Sequence, residues 1–267
     1  LQCETMESTM TLEKPVSKYT INITPEKTIE AELMYVPLHK IKLDPKNVRF
    51  RHLFQELSDE EIEKMIWGEQ FTRNWYTEIK YAQGLSEKPV VQSVADNYVV
   101  REGNARIVCL RKLKKAILHK KEDIPPVKID PVLCVVLPKT VTETDIAIYL
   151  TRIHVGSKTP WATFNKAGQI YDLYTVHKLT YDIIAKSCGV GKATAMRMVT
   201  TYKSLREYFE KYPEEKNIGL FSYFYEFHKL ENKVDKIGKA NWVKENLERF
   251  MEWIHNKQIE YGKEVRL

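Results

Sequence analysis

The sequence predicts an α/β (α+β) domain followed by an all-helical domain with a helix-turn-helix, and three observations carry that reading. Val- and Ile-rich runs alternate with helix-spaced segments between Met34 and Pro138, and then strand signals stop. From Thr140 onward apolar residues recur at helical spacing, with breaks at Gly156, Pro160, Gly189, Gly191, Pro213 and Gly238. The chain has 267 residues, 43% hydrophobic and 29% charged, which suits two or three packed units and excludes a mostly disordered chain.

Residues 1–32 are polar and Thr-rich without helical period, so a flexible tail is expected there. Met34–Leu38 and Ile41–Leu43 read as short extended pieces and Asp44–Asn47 as a turn. Ser58 followed by Glu61 is a capping box, with Leu57 placed to staple Ile62. The helix it opens is expected to reach about Trp67 and break at Gly68. A second, around Trp75–Ala82, would end on Gly84 as its C-cap glycine. Pro89–Val94 and Tyr98–Val100 flank Ala95-Asp96-Asn97, a hairpin signal with Asn97 as the residue tolerant of a left-handed conformation. A glycine turn and a helix over Ile107–Ile117 follow, then strands at Val127–Ile129 and Val132–Leu137. The α/β domain is thus set at 33–139. A helix-turn-helix domain is placed at 140–212 and a helical extension at 213–267. Its helices are expected over 141–154, 161–177, 180–187, 192–211, 221–231 and 240–257.

The four cysteines form no Cys-x-x-Cys pair and no zinc spacing with histidine, so no metal site is expected. Cys109 and Cys134 lie in apolar runs and read as buried reduced thiols. No apolar run approaches the ~20 residues that cross a bilayer, and no leader pattern is visible, which gives a cytoplasmic expectation without membrane contact. The net charge of +6 is modest, but its distribution is uneven. Residues 160–211 carry eight Lys and Arg against four Asp and Glu, a local +4, whereas residues 1–32 carry three Lys against six Glu.

Three places carry chemistry. At Glu102-Gly103-Asn104-Ala105-Arg106 a strand ends and a helix begins, so first-turn amides and the Arg106 fork would face an anion. The alternative is a plain glycine turn with Arg106 paired to Glu102. Thr151-Arg152-Ile153-His154 precedes Pro160. There Arg152, His154 or Lys158 could approach a phosphate, or simply complement a helix C-terminus. In Thr180–Thr200, Thr180 caps a helix, Ala185 and Gly189 are the small positions, and Ile184, Val190 and Met198 the apolar ones of a helix-turn-helix. Its second helix would present Gly191, Lys192, Thr194 and Arg197, with an ordinary helix pair as the alternative. Gly189-Val-Gly-Lys192-Ala is no phosphate loop, since Lys186 replaces its first Gly, Ala193 its Ser/Thr, and a helix precedes it. The aromatic run Phe221–Phe227 reads as helical core rather than a base-stacking surface.

In order and spacing, residues 33–212 resemble ParB-like partition proteins, whose N-terminal domain shares the sulfiredoxin fold. The matching pieces are Val36-Pro-Leu38, Asn47-Val-Arg49, Gly84-Leu85, Pro89-Val-Val91, Tyr98-Val-Val100, Gly103-Asn-Ala-Arg106 and the apolar helix after it. The resemblance implies a DNA-binding component of a plasmid or chromosome partition system, nucleoid-associated and homo-oligomeric. It implies CTP or another nucleotide held by Glu102, Gly103, Asn104, Ala105, Arg106 and Arg152, and DNA held by Lys192, Thr194 and Arg197. Its implied partners are DNA, a ParA-like Walker ATPase and a second centromere-binding protein. The family offers that ATPase an Arg from a flexible tail. Here Lys14 or Lys18 would have to serve. Asn104 stands where sulfiredoxin needs Cys, which excludes its redox reaction. Thr151 and Arg152 stand where the family has the Glu and Asn of its metal site. Mg²⁺ needs hard oxygen ligands, so nucleotide binding with weak or no hydrolysis is expected. A ParB-fold nuclease or phosphotransferase acting from the Glu102–Arg106 turn is one alternative. An adaptor joining a DNA-bound protein to the ATPase is the other.

Overall fold

A computed structural model describes residues 13–53, 55–120, 129–155, 162–230 and 242–259. The chain divides into two compact units, one of residues 1–47 and 56–146, the other of residues 48–55 and 147–267.

The first unit is built on a mixed sheet. Its described strands are β1 Pro15–Thr24, β2 Lys27–Val36, β3 Ile41–Lys42, β4 Val90–Val94, β5 Asn97–Glu102 and β6 Val132–Leu137. Their spatial order is β1-β2-β6-β4-β5-β3. β1/β2, β2/β6 and β4/β5 are antiparallel, whereas β4/β6 and β3/β5 are parallel. Helices α1 Asp59–Gly68, α2 Gln70–Ala82 and α3 Asn104–Leu118 belong to this unit. Its buried residues include Ile62 and Ile66 of α1, Ile79 of α2, Ile107, Val108, Leu110 and Leu113 of α3, and Ile21, Val36, Val91, Val100 and Cys134 of the sheet. The Cys109 thiol donates to the Thr72 carbonyl at 3.3 Å and ties α3 to α2.

The α1 capping box forms as the spacing predicts, the Ser58 hydroxyl taking the Glu61 amide while the Glu61 carboxylate takes the Ser58 amide. Other expectations need correction. From residue 15 on, the expected tail is a strand pair, with Thr24 opposite Lys27 across a two-residue turn. Ile21, Ile23, Ala31 and Met34 supply its buried side, while every other β1 side chain but Thr24 is exposed, which is why the segment reads as polar. Lys18 therefore lies in a strand, paired with Glu30 at 2.8 Å. Residues 1–12, with Cys3, lie outside the described residues. α2 begins at Gln70, not near Trp75, and its left-handed C-terminal residue is Gln83 (φ 50°), with the Gly84 amide bonding the Ile79 carbonyl beyond it. In the β4–β5 turn the positive φ falls on Ala95, not Asn97. Of the strand expected at Val127–Ile129, residues 127 and 128 lie outside the described residues, and Ile129 sits in a turn.

The second unit is helical. α4 Glu143–Val155 crosses the division, and α5 Thr163–Thr175, α6 Tyr181–Cys188, α7 Lys192–Lys211, α8 Phe221–Lys229 and α9 Trp242–His255 follow. Lys158 and Pro160 lie outside the described residues. Arg51, from a 3₁₀ segment Val48–Leu53, donates to the Gly168 carbonyl at 2.8 Å and pairs with Asp172 at 2.6 Å. A Cβ at Gly168 would come within 2.6 Å of Arg51 Cδ and 2.8 Å of Tyr202, so only glycine admits this clasp. The core is aromatic: Phe164, Tyr208, Phe209, Phe221, Phe224, Phe227 and Phe250 gather between α5, α7, α8 and α9. Phe221–Phe227 is core as its helical spacing predicts.

His228 is buried in this unit and bonds the Ser204 hydroxyl at 2.9 Å. Burial, aided by the Arg197 charge, pushes its imidazole from the ordinary 6.5 down to about 4. The unfolded chain therefore binds the proton first. Stability is complete above about pH 6.5 and falls as the pH drops toward about 4, by on the order of 3 kcal/mol from this group. Urea midpoints measured across that window should fall more steeply for the wild type than for His228→Gln, which cannot take up the proton.

Candidate functional site: the Gly103 turn and the α6–α7 pair

β5 ends at Glu102 and α3 begins at Asn104, with Gly103 between them at φ 96°, ψ 23°. That left-handed conformation favours glycine, and a Cβ there would meet Arg106 Nε at 3.2 Å and Pro89 at 3.3 Å. Asn104 accepts the Asp44 amide on its Oδ1 at 3.0 Å and so fixes the loop after β3 against the start of α3. The first-turn amides of Asn104, Ala105 and Arg106 have no partner within the helix by geometry, and they carry the positive end of its dipole.

Arg106 is buried, its side chain only 9% exposed. Its Nη2 donates to Glu102 at 2.9 Å; its Nη1 donates to the Glu87 carboxylate at 3.1 Å and the Glu87 carbonyl at 3.2 Å. The guanidinium lies 5.7 Å from the centre of the Trp75 ring. The structure thus forms the Arg106–Glu102 pair that the sequence allows and adds Glu87. It gathers Glu102, Gly103, Asn104, Ala105 and Arg106 at one turn. Arg152, by contrast, belongs to the helical unit and is exposed on α4. Thr151 is buried with its hydroxyl turned back on the Ala147 carbonyl at 2.7 Å. It offers no oxygen to a ligand. His154 is buried on the same helix.

Sequence reasoning missed Glu87, Trp75 and Asp44 at this turn. Asp44 is buried, and burial raises its carboxyl above the usual range, partly offset by the Lys46 amide and the Arg101 charge. No spacing rule links these three residues to Arg106, because each arrives from a different loop or helix.

In the helical unit, Thr180 caps α6 by accepting the Ile183 amide at 3.3 Å, and Gly189 closes it at φ 69°. Gly189–Gly191 then turns the chain into α7. Ile184, Ser187, Cys188, Ala195 and Val199 are buried between the helices, whereas Lys192, Ala193 and Met196 are exposed. Lys192 pairs with Asp182 at 2.8 Å, both side chains more than half exposed. Thr194 is half-buried, folded beneath Gly191. Arg197 is half-buried with its guanidinium 5.4 Å from the Tyr225 ring and within 3.5 Å of its hydroxyl.

Elsewhere, Cys109, Cys134 and Cys188 are free and buried, and burial pushes each thiol up to about 12. Among the described residues one group, Glu214, Glu215 and His255, brings possible metal ligands together. Its Glu215 oxygens are already engaged by the Tyr208 hydroxyl and by His255 Nδ1, so it reads as a structural pair. No helix among the described residues is long and apolar enough to cross a membrane.

No family model and no curated protein matches the chain. Among solved structures it is similar to the C-terminally truncated chromosome-partitioning protein ParB from Caulobacter crescentus complexed to the centromeric parS site. That likeness covers 86% of this chain and 95% of that one, at 10% identity and a TM-score of 0.41. It is also similar to the truncated ParB from Caulobacter crescentus complexed with CTP-gamma-S, over 80% of this chain and 96% of that one, at 11% identity and a TM-score of 0.25.

Proposed function

We propose that the chain binds duplex DNA through α6, its turn and α7, and holds a nucleotide's phosphates at the Gly103 turn, as a component of a partition system. The observation that carries this is the start of α7. A three-residue glycine turn presents it, it has no acid in its first turn, and Lys192 stands exposed there. The sequence resemblance to ParB-like proteins supports the same reading and suggests CTP as the nucleotide. Lys192 serves a backbone phosphate, while Thr194 and Arg197 are the candidates for base edges, Arg197 being ordered by Tyr225. With Thr151 in place of an acid, the nucleotide is a ligand rather than a rapidly hydrolysed substrate, and the protein acts by binding. A ParA-like ATPase, a second centromere-binding protein, self-association and a place on the nucleoid belong to the same proposal.

One observation favours the adaptor reading as a second choice. Ile183 and Met196, on the two helices, are 46% and 45% exposed, and Lys192 already has Asp182 as counter-charge. Such a surface also suits a protein partner. Fluorescence anisotropy on duplex DNA across a salt series decides between the two. For a DNA binder, Lys192→Ala weakens binding to all sequences alike and lowers the salt slope by roughly one. Absence of duplex binding by the wild type at low salt would sink the DNA reading and leave the adaptor.

A further inference from the structure

The geometry points to Glu87 as an internal anion that occupies the Arg106 fork until a phosphate displaces it, so that this residue sets how strongly charged a ligand must be to enter. This rests on the phosphate reading of the Gly103 turn. Both terminal nitrogens of Arg106 are spoken for, one by Glu102 and the other by Glu87. The two carboxylates differ in a way that assigns their roles. Glu102 is 21% exposed, the last residue of β5, and close in sequence to Arg106. Glu87 is 68% exposed and sits in the segment between α2 and β4, with its side chain free to swing into water. An exposed carboxylate gives up an arginine at little cost, because water replaces the contact. A buried one does not.

The Glu87 backbone carbonyl also accepts from Nη1, and it stays in place when the carboxylate leaves. The guanidinium therefore keeps its position, backed by that carbonyl, by Glu102 and by the Trp75 ring, while one face of the fork opens. A phosphate entering there takes the place of the Glu87 carboxylate on Nη1 and gains the positive end of α3, which begins two residues before Arg106. Until it moves, the Glu87 charge also repels the incoming anion, and the repulsion grows with the ligand's charge. A polyphosphate gains more by displacing it than a monophosphate does.

The test is isothermal titration of inorganic triphosphate and of orthophosphate into the full chain and into Glu87→Gln, at fixed ionic strength. Glutamine preserves size and the backbone carbonyl but not the charge, and the site is exposed, so folding is unaffected. Glu32→Gln, at an exposed position of β2, makes the same change in net charge away from the turn. The expected result is triphosphate affinity raised roughly two- to fivefold in Glu87→Gln and unchanged in Glu32→Gln. Orthophosphate binding, weak in the wild type, becomes measurable in Glu87→Gln. If the wild type binds triphosphate and Glu87→Gln binds it equally or more weakly, Glu87 is not a competitor and the inference falls while the site stands. An equal gain in Glu32→Gln would reduce the effect to net charge and overturn the inference too. If neither the wild type nor Glu87→Gln binds triphosphate, the phosphate reading of the turn fails and takes the inference with it.

Discussion

Arg106→Ala is expected to abolish nucleoside triphosphate binding while both units stay folded. The guanidinium is the forked donor at the Gly103 turn, and the first-turn amides of α3 cannot match a delocalised, bidentate cation. Removing it does more than delete a donor. Glu102, only 21% exposed, loses the Arg106 contact, and its negative charge remains at the place where phosphate should bind. Loss of a charge-assisted hydrogen bond of this kind costs ~1.5–3 kcal/mol, and the Glu102 carboxylate adds repulsion. Calorimetry with nucleoside triphosphate measures the effect, and circular dichroism checks that the fold survives. Arg106→Lys keeps the charge but not the fork, so it should recover only part of the affinity. Unchanged affinity in Arg106→Ala would place the ligand elsewhere.

Phe224→Ala is expected to be the most destabilising single change of the two. The ring is fully buried, 5.6 Å from Tyr208 and 5.3 Å from Phe250 between ring centres, both in near-perpendicular contact. Truncation leaves a ring-sized cavity at the meeting point of α7, α8 and α9, and such changes cost ~3–5 kcal/mol. A urea titration followed at 222 nm should show the midpoint fall accordingly. A shift of a few tenths would mean that the aromatic run is not the core. It would then revive the reading in which Phe221–Phe227 is a stacking surface.

Much of the architecture is legible in the sequence. Residues Ser58 and Glu61 announce α1 because capping chemistry is local: two side chains and two amides within one turn. The helices from Glu143 onward follow the apolar period. Among the described residues the breaks at Gly189, Gly191 and Pro213 fall where backbone sterics require, whereas residues 176–180 part α5 from α6 with neither Gly nor Pro. The Gly103 turn was legible for the same reason, since a β-rich run, a glycine and an apolar helix in succession leave the chain few options. The β1–β2 pair was also within reach. Tyr19-Thr-Ile-Asn-Ile-Thr24 alternates strictly, but its charged surroundings hid a strand whose first half is exposed on both faces.

By itself, then, the sequence determined the order of elements from α1 on, the change from strands to helices beyond β6, and the glycine turn that ends β5. These depend on interactions spanning a few residues, which periodicity and composition record directly. Sequence reasoning missed the β1–β2 pair and the membership of residues 48–55 in the helical unit. Only the tertiary structure decided what surrounds Arg106. Glu87 precedes it by 19 residues, and Trp75 and Asp44 reach the turn from α2 and from the loop after β3. The same holds for Arg197 on Tyr225, 28 residues apart, and for Arg51 clasping α5 from 117 residues away. Such pairs arise because packing the sheet and helices brings distant side chains together, and no local spacing encodes which carboxylate will meet which guanidinium.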